Sequence, residues 1–250
     1  MMTKIKVAFC FCTLFLSASI QAAYMPYVVR NYEGYIGKYP VHLSLQFYDF
    51  GGKVNVEGSY YYDNHRSPIP LYGVNESSSI VLCEAVSDES FEKYIVQGEG
   101  VDISKCPFNL TRNPTGFLGE WHNERSALKV DLKETVQVSD GVINGRAKIL
   151  DIPFWGQTKQ HSFIGLYEAS ADGIVINKVN VIDKKSGKLI QVINPQMNGC
   201  EFGSYMTSIF QNIESDGSQI RFNCYSTGPD VSVNYKLNTQ ASRYDVVTER

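Results

Sequence analysis

Apolar and polar residues alternate along much of the chain, which is the pattern of β-strands with one buried face. Over residues 41–48 every odd position is apolar, and the even positions carry His, Ser, Gln and Tyr. Residues 54–62 alternate in a similar way, and the glycine-containing stretch 49–52 lies between the two segments. Because successive side chains of a strand point to opposite faces, this pattern predicts an antiparallel hairpin with its turn at 49–52.

The same criteria predict strands through most of the remaining sequence. Clusters of Gly, Pro, Asn and Ser separate them, and the stretch 184–188 forms the turn of a second hairpin. The predicted strands are residues 69–72, 79–86, 91–96, 116–121, 127–132, 135–138, 162–168, 179–183, 189–193, 204–211, 219–225 and 231–237. No long stretch has helical periodicity, so the predicted fold class is all-β.

Glycine stands beside aromatic residues in three stretches, 34–37, 58–62 and 116–121. A glycine within a strand leaves room for a neighbouring ring or permits a sharp bend. This arrangement favours a curved antiparallel meander, in the form of a sandwich or a partly closed barrel. We expect most of these aromatic side chains to lie in the core.

The N-terminus has the order of a cleavable secretory signal. Lys4 and Lys6 precede an apolar stretch at 7–20, and small residues follow up to Ala22. An apolar stretch of this length is too short to span a bilayer. The alternative is a buried N-terminal helix, which would not need a charged start and a small-residue end. The sequence therefore predicts cleavage after Ala22 and a soluble periplasmic or secreted protein.

The mature chain divides near residues 151–160, where Pro153 and Gly156 interrupt the strands. We expect an N-terminal β-meander module at 23–150 and a C-terminal β-sandwich-like module at 151–250. The two halves are either separate modules or two parts of one sandwich. No later apolar run approaches the roughly 18 residues of a membrane-spanning helix, so no transmembrane span is predicted.

Signal cleavage removes two lysines and no acid, so the net charge changes from −3 to about −5. The chain has no basic stripe, and the sequence therefore predicts no binding to nucleic acid. A mildly acidic surface suits a basic protein partner instead, because complementary charge steers association.

Four cysteines remain after signal cleavage: Cys83, Cys106, Cys200 and Cys224. An even number in an exported chain predicts two disulfides, for which three connectivities are possible. The favoured one is local, Cys83 with Cys106 and Cys200 with Cys224, and each bridge would contribute on the order of 3 kcal/mol. A zinc site is the alternative, but no two of these cysteines have the close spacing of zinc ligands.

The sequence lacks the common catalytic motifs for acyl transfer, zinc-assisted hydrolysis, phosphate binding and dinucleotide binding. A carboxylate pair that cleaves glycosidic bonds is defined by its separation in space, so this chemistry stays open. Glu84, Glu120 and Asp151 lie on or near predicted strands and are the first candidates, with His122 beside Trp121. For each of them a solvated or structural role is more common, and the chain is predicted not to be an enzyme.

A short stretch of the second half begins like a calcium-binding loop. Asn212, Glu214 and Asp216 supply oxygen at the first, third and fifth places, and Gly217 stands at the sixth. The twelfth place carries Asn223 where a bidentate Glu is expected, so only three side-chain ligands remain. The alternative is a polar turn between two strands, which we favour. Calcium is the one cofactor that the sequence suggests.

The order of several motifs resembles that of a group of exported bacterial β-proteins. The motifs are residues 34–41, 58–62, 69–73, 82–84 and 115–121 in the first half, and 181–191 and 212–217 in the second. Some members look like I-type lysozyme inhibitors, and at least one is a periplasmic immunity protein against a rival's peptidoglycan hydrolase. The resemblance therefore implies a protein that blocks a secreted cell-wall hydrolase or toxin effector.

An inhibitor of this kind needs a rigid scaffold and a protruding loop that fits an enzyme cleft. The hairpin turn with Ser186, Gly187 and Lys188 is the first candidate for that loop. Tyr61 and Trp121 are candidate interface anchors, with the tyrosines on either side of Tyr61 as further ones. The alternatives are an ordinary turn and aromatic residues of the core.

In the group that the chain resembles, a loop of the form Asp-x-Asn-x-Asp-Gly often binds calcium. This chain has Asn212 and Glu214 at the first and third places of that loop. We therefore expect a disulfide between Cys200 and Cys224, which flank this region, to take the place of the ion.

A second function stays open beside the inhibitor. The protein would then be a carbohydrate-binding protein or a carbohydrate-active enzyme of the cell envelope, with aromatic residues and carboxylates lining a sugar groove. Two close carboxylates in an aromatic cleft would favour this second function.

Overall fold

The computed structural model describes residues 27–48, 54–85, 102–139, 142–170, 173–195, 208–224 and 231–247. These residues form seventeen β-strands and two 3₁₀ turns, Ile103–Lys105 and Ile209–Gln211. The strands are β1 (Tyr27–Ile36), β2 (Tyr39–Tyr48), β3 (Val56–Tyr62), β4 (Ile69–Asn75), β5 (Ser79–Glu84), β6 (Phe108–Asn113), β7 (Gly116–Asn123), β8 (Ser126–Ser139), β9 (Val142–Gly145), β10 (Ile149–Pro153), β11 (His161–Ser170), β12 (Gly173–Asp183), β13 (Leu189–Ile193), β14 (Ile213–Asp216), β15 (Gln219–Cys224), β16 (Val231–Asn238) and β17 (Arg243–Val246). The protein is all-β, as the alternation predicts. In this described part, no helix is long and apolar enough to cross a membrane.

Strands β1 to β8 form a closed antiparallel barrel. Each strand pairs with the next one along the chain, and β1 pairs with β8 to close the ring. The predicted first hairpin is β2 and β3, whose register pairs Val41 with Tyr62. β9 pairs with the end of β8, where Val136 lies opposite Gly145. The barrel therefore closes completely, and closure leaves no unpaired edge in this ring.

Apolar side chains fill the interior of the barrel. The odd residues of β2 point inward, and the ring of Tyr32 packs on that of Phe117 with 5.1 Å between centroids. The buried interior residues are Tyr32, Ile36, Val41, Leu43, Leu45, Phe47, Val56, Tyr60, Leu71, Ile80, Leu82, Phe108, Leu110, Phe117, Val130 and Leu132. Full burial of one large apolar side chain contributes about 1.5–3 kcal/mol, so this interior is a main source of the barrel's stability.

Two glycines permit close strand contact where the barrel closes. A Cβ atom at Gly34 of β1 would overlap the backbone carbonyl oxygen of Asp131 on β8. A Cβ atom at Gly116 of β7 would overlap the carbonyl oxygen of Leu132, which is also on β8. Both glycines belong to the stretches in which glycine stands beside aromatic residues. They allow the close strand contacts of the curved sheet that those stretches predict.

Two four-stranded antiparallel sheets, β10–β13 and β14–β17, pack against the outside of the barrel. Their apolar residues share one core with Val29, Val136 and Val138, which point outward from the barrel. In that core Phe154 and Phe222 meet edge to face, with 6.0 Å between their ring centroids. Both halves of the chain thus contribute to a common core.

The outer face of β2 is polar and also buried. Ser44 Oγ donates to Asn31 Oδ1 at 2.7 Å, and Asn31 Nδ2 donates to the backbone carbonyl of Asp151 on β10 at 2.8 Å. Gln46 Oε1 accepts from the backbone N–H of Ile209 at 2.9 Å. The alternation predicts a strand with one buried face, whereas here the covering segments bury the second face and satisfy its polar groups.

Some predicted elements differ from those of the structure. The described part of the predicted strand at 204–211 contains the 3₁₀ turn Ile209–Gln211 instead, and its residues Ile209 and Phe210 are both buried. A strand would turn two adjacent side chains to opposite faces. β6 is not predicted, and β14 lies where the sequence favours a polar turn. The predicted turn at 49–52 and the predicted strand at 91–96 lie outside the described residues.

Cys83 and Cys106 form a disulfide bond that joins β5 to the segment before β6. This bridge of the predicted local pairing is confirmed. Cys224, the last residue of β15, is also disulfide-bonded. Cys200 and the predicted signal peptide at 1–22 lie outside the described residues.

Candidate functional site

One end of the barrel opens into an aromatic cavity, which we call the barrel mouth. The barrel mouth has a volume of about 370 Å³ and is lined by Tyr39, Pro40, Tyr62, Asn64, His65, Trp121 and Leu128. Tyr39 and Tyr62 meet edge to face, with 6.1 Å between their ring centroids. Tyr39 of β2, Tyr62 of β3, Trp121 of β7 and Leu128 of β8 occupy inward positions of their strands, at the end of the packed interior. Mouths of β-barrels are common ligand sites.

A carboxylate is hydrogen-bonded to Trp121, one of the residues that line the barrel mouth. Glu84 Oε1 accepts a hydrogen bond from the hydroxyl of Tyr60 at 2.6 Å and another from Trp121 Nε1 at 3.0 Å. Burial and the charge of Glu84 raise the pKa of Tyr60, so its hydroxyl keeps its proton and remains a donor. These bonds fix the orientation of the Trp121 ring.

A row of polar side chains crosses the outer wall of the barrel beside the mouth. The strand register places Lys133 on β8, Glu33 on β1, His42 on β2 and Tyr61 on β3 directly opposite one another in turn. Residues paired in this way point to the same face of a sheet. Closure of the barrel therefore brings Lys133 and Glu33 together, although they are far apart in the sequence.

This row forms one wall of a second cavity, which we call the charged cleft. The charged cleft has a volume of about 510 Å³ and is lined by Glu33, Gly34, Tyr35, Pro40, Val41, His42, Tyr61, Asp63, Arg66, Asp131, Lys133, Arg146 and Asp151. Pro40 also lines the barrel mouth, so the two cavities adjoin. The charged cleft lies next to β10, which supplies Asp151 and covers the polar residues farther along β2.

Asp151 has an unusual environment for a carboxylate. Burial raises its pKa to about 6, and the charge of Glu33 acts in the same direction, whereas the charge of Arg66 opposes them. Two acidic side chains therefore lie close enough to repel each other in a cavity that also contains tyrosines. Near neutral pH, Asp151 gains or loses a proton more readily than an exposed aspartate does.

His42 lies buried beneath the charged cleft, with 6% of its surface exposed. Its ring stacks on that of Tyr61 at 5.1 Å between centroids, and it is hydrogen-bonded to the backbone of Asp151. Burial lowers the pKa of His42 to about 4, so the ring is neutral at pH 7. Its Nε2 atom has no hydrogen-bond partner among the described residues. An unsatisfied buried polar atom costs about 1–3 kcal/mol.

The predicted partner-binding residues gather at this end of the barrel. Trp121 lines the barrel mouth, and Tyr61 is a buried wall residue of the charged cleft. Gly187 packs so tightly on the backbone of the 62–66 turn that a Cβ atom would overlap the carbonyl oxygen of Asn64. Ser186 and Lys188, on either side of Gly187, are exposed.

The carboxylates that the sequence singles out take different positions. Glu84 accepts a hydrogen bond from Trp121 of the barrel mouth, and Asp151 lines the charged cleft. Glu120 and His122 flank Trp121 on β7, point the other way and are exposed. Sequence reasoning missed Glu33, whose only signal is a polar position on an alternating strand.

The residues of the candidate calcium loop form other contacts. Asn212 Nδ2 donates to the Tyr167 hydroxyl at 3.2 Å, and Glu214 Oε1 accepts from Asn223 Nδ2 at 2.8 Å. Asp216 is exposed at the end of β14. In the described parts of the chain, no group of three or more His, Cys, Asp or Glu side chains is arranged to hold a metal ion.

No family model matches the chain, and neither a curated protein nor a solved structure matches it. Its described residues define an all-β protein in which a closed eight-stranded barrel is covered by two antiparallel sheets. Two adjoining cavities, one aromatic and one charged, lie at the same end of that barrel. The function is inferred from the chemistry of these cavities.

Proposed function

We propose that the protein is an exported carbohydrate-binding protein of the cell envelope, with the barrel mouth as its sugar site. The observation that carries this proposal is the aromatic lining of the mouth, Tyr39, Tyr62 and Trp121, in which Trp121 is held by a hydrogen bond to Glu84. A sugar ring has apolar C–H faces and a rim of hydroxyl groups. Aromatic faces suit the former, and a few well-placed polar groups suit the latter.

The polar groups of the barrel mouth match that requirement. Glu84 is not part of the lining, but its Oε1 accepts hydrogen bonds from both Tyr60 and Trp121. Asn64 and His65 at the rim supply further donors and acceptors. The Trp121 ring is held by its own hydrogen bond to Glu84, and such preorganisation reduces the entropy lost on binding.

The neighbouring charged cleft supports the same choice of function. The feature that favours a carbohydrate protein over an inhibitor is a pair of close carboxylates in an aromatic cleft. Glu33 and Asp151 are such a pair, and Tyr35 and Tyr61 line the same cavity. The disulfide between β5 and the segment before β6 fits an oxidising compartment outside the cytoplasm, where disulfides persist.

The test is a calorimetric titration of the mature protein with chitotetraose, a soluble oligomer of N-acetylglucosamine. We expect Trp121→Ala and Tyr62→Ala each to weaken binding by about tenfold or more, which corresponds to about 1.4 kcal/mol. Trp121→Phe, which keeps an aromatic face, should lose less. Leu118→Ala is the control, because Leu118 is an exposed apolar residue on the same strand as Trp121, points to the opposite face and lines neither cavity.

Circular dichroism of each variant would show whether its fold is intact. If the wild-type protein bound neither chitotetraose nor insoluble peptidoglycan, the proposal would be overturned. Equal affinity of a folded Trp121→Ala variant and the wild type would overturn the assignment of the sugar site to the barrel mouth.

The inhibitor function implied by the resemblance stays a prediction. One observation favours it as a second candidate: exposed Ser186 and Lys188 lie beside the barrel end that also contains Trp121. Loop insertion requires a protruding turn, whereas Gly187 is packed against Asn64. The concave shape of both cavities therefore supports binding of a ligand more directly than insertion into an enzyme.

A further inference from the structure

The charged cleft contains opposite charges that do not pair with one another. Its acidic residues are Glu33, Asp63, Asp131 and Asp151, and its basic residues are Arg66, Lys133 and Arg146. The salt bridges found among the described residues involve none of these seven side chains. Glu33 and Lys133 are even direct cross-strand partners, a position that favours pairing of opposite charges.

The strand framework explains why these charges stay apart. Glu33 and Lys133 are carried on the barrel wall, Asp151 on the covering strand β10, and Arg66 on the turn after β3. Each element is held by its own hydrogen bonds; for example, the carbonyl of Arg66 accepts from Ser162 Oγ at 2.7 Å. The cleft therefore offers a fixed arrangement of anionic and cationic groups with open volume between them.

His42 provides a second, independent indication of a ligand. It lines the charged cleft while more than nine-tenths of its surface is buried, and its Nε2 atom has no partner in the described part of the chain. Because Nε2 is the unpartnered nitrogen, the hydrogen bond to the Asp151 backbone comes from Nδ1. In the neutral ring Nε2 is then an acceptor, and it lacks an N–H or O–H donor.

We infer that the charged cleft binds a zwitterionic ligand, namely a short peptide or amino acid with a free ammonium and a free carboxylate group. The ammonium group lies toward the carboxylates of Glu33 and Asp151, which line the cleft. The carboxylate group lies toward the surrounding cations, of which Lys133 and Arg66 stand on different elements. A volume of about 510 Å³ is in the range of small-molecule sites.

The raised pKa of Asp151 agrees with this assignment. The charge of Glu33 contributes to the increase, so the two carboxylates repel each other in the free protein. An ammonium group placed between them would relieve that repulsion and lower the pKa of Asp151. The cleft has four acidic and three basic side chains, so its net charge is slightly negative. A negative net charge attracts the cationic end of a zwitterionic ligand.

The test uses the dipeptide alanyl-alanine and two blocked forms of it, one N-acetylated and one C-amidated. Amide chemical shifts of the full mature protein are followed by NMR during titration. We expect alanyl-alanine to shift the amides of Gly34, Tyr35 and Val41, which line the cleft. Blocking either end should weaken binding by about tenfold or more, because each block removes one of the two charges.

Variants locate the site. Asp151→Asn and Lys133→Gln should each weaken alanyl-alanine binding by about tenfold or more. Lys129→Gln is the matched control, because Lys129 is an exposed lysine on the same strand that does not line the cleft. It should bind as the wild type does. Trp121→Ala should also bind normally, which separates this site from the sugar site of the barrel mouth.

Equal binding of the free and blocked dipeptides would overturn the inference, as would shifts confined to residues outside the cleft. Absence of any shift up to the solubility limit of alanyl-alanine would overturn it as well. These outcomes leave the carbohydrate proposal unaffected, because chitotetraose binding is measured separately at Trp121.

Discussion

Asp151 and His42 are in contact through the Asp151 backbone, and burial changes the pKa of each in the direction that disfavours its charge. For the acid the pKa rises to about 6, and for the imidazole it falls to about 4. Neither pKa shift can be predicted from the local sequence, because the burial of both groups depends on the packing of β10 against β2. Of the two groups, only Asp151 therefore changes its charge near pH 6, whereas His42 stays neutral there.

The substitution Asp151→Asn should stabilise the protein at pH 8. An acid whose pKa is raised from 3.8 to about 6 in the folded state makes that state lose stability as the pH rises through this window. The cost is fully present above pH 6 and is on the order of 2 kcal/mol for this partly exposed group. Urea unfolding at pH 8 and at pH 4 measures it.

At pH 4 the two proteins should differ little, because Asp151 is then largely protonated in the folded state. Asp131→Asn is the matched control, since it removes another carboxylate of the same cavity. A variant that is less stable than the wild type at pH 8 would contradict the prediction. The pH dependence that comes from His42 has the opposite direction. Its contribution to stability is fully present above pH 6.5 and is lost as the pH falls through about 4.

At the scale of elements, the pairing of β1 with β8 decides the architecture. This contact closes the barrel and places Glu33 opposite Lys133. It depends on Gly34, where the backbone of β8 occupies the space that a side chain would need. One position thus supports both the closed ring and the wall of the charged cleft.

Gly34→Ala should destabilise the protein by on the order of 3 kcal/mol or more, because the added methyl group would force β1 and β8 apart. Gly217→Ala is the matched control. Gly217 also lies in a β-hairpin but has nothing within 4 Å of the added atom, so only its positive φ of 58° opposes the change. That variant should lose about 1 kcal/mol. Urea unfolding compares the two, and equal losses would contradict the close-contact explanation.

At the scale of the whole molecule, the barrel and its covering sheets share one core. Val29, Val136 and Val138 of the barrel wall pack with residues of both sheets. Polar contacts add to this, for example the hydrogen bond from Trp155 Nε1 to the carbonyl of Gly58 at 2.7 Å. The two halves of the chain should therefore unfold together.

The two tryptophans allow this to be measured, because Trp121 belongs to the barrel and Trp155 to the segment after β10. In Trp155→Phe, tryptophan fluorescence reports on the barrel, and in Trp121→Phe it reports on the cover and its contact with β3. We expect each variant's fluorescence transition in urea to coincide with its own circular dichroism transition. A Trp155 signal that changes at lower urea than the dichroism would show that the covering sheets unfold separately.

Sequence alone predicts the all-β class, the first hairpin and the inward residues of β2 such as Leu43 and Leu45. It does so because the period of two is a local property of an extended chain. It also indicates a local disulfide, Cys83 with Cys106, from the number and spacing of cysteines. Among the site residues it singles out Trp121 and Asp151, since an aromatic residue beside glycine and a carboxylate near a strand are local signals.

Which polar face of a strand is open depends on long-range packing. His42 and Ser44 both occupy outward positions of β2, and their sequence pattern is the same whether water or a second sheet satisfies them. β10 covers Ser44 through Asn31, whereas the cavity lies at the row of His42. Barrel closure then brings Lys133 beside that row. Cavities arise from such long-range packing, which no local alternation of apolar and polar residues encodes.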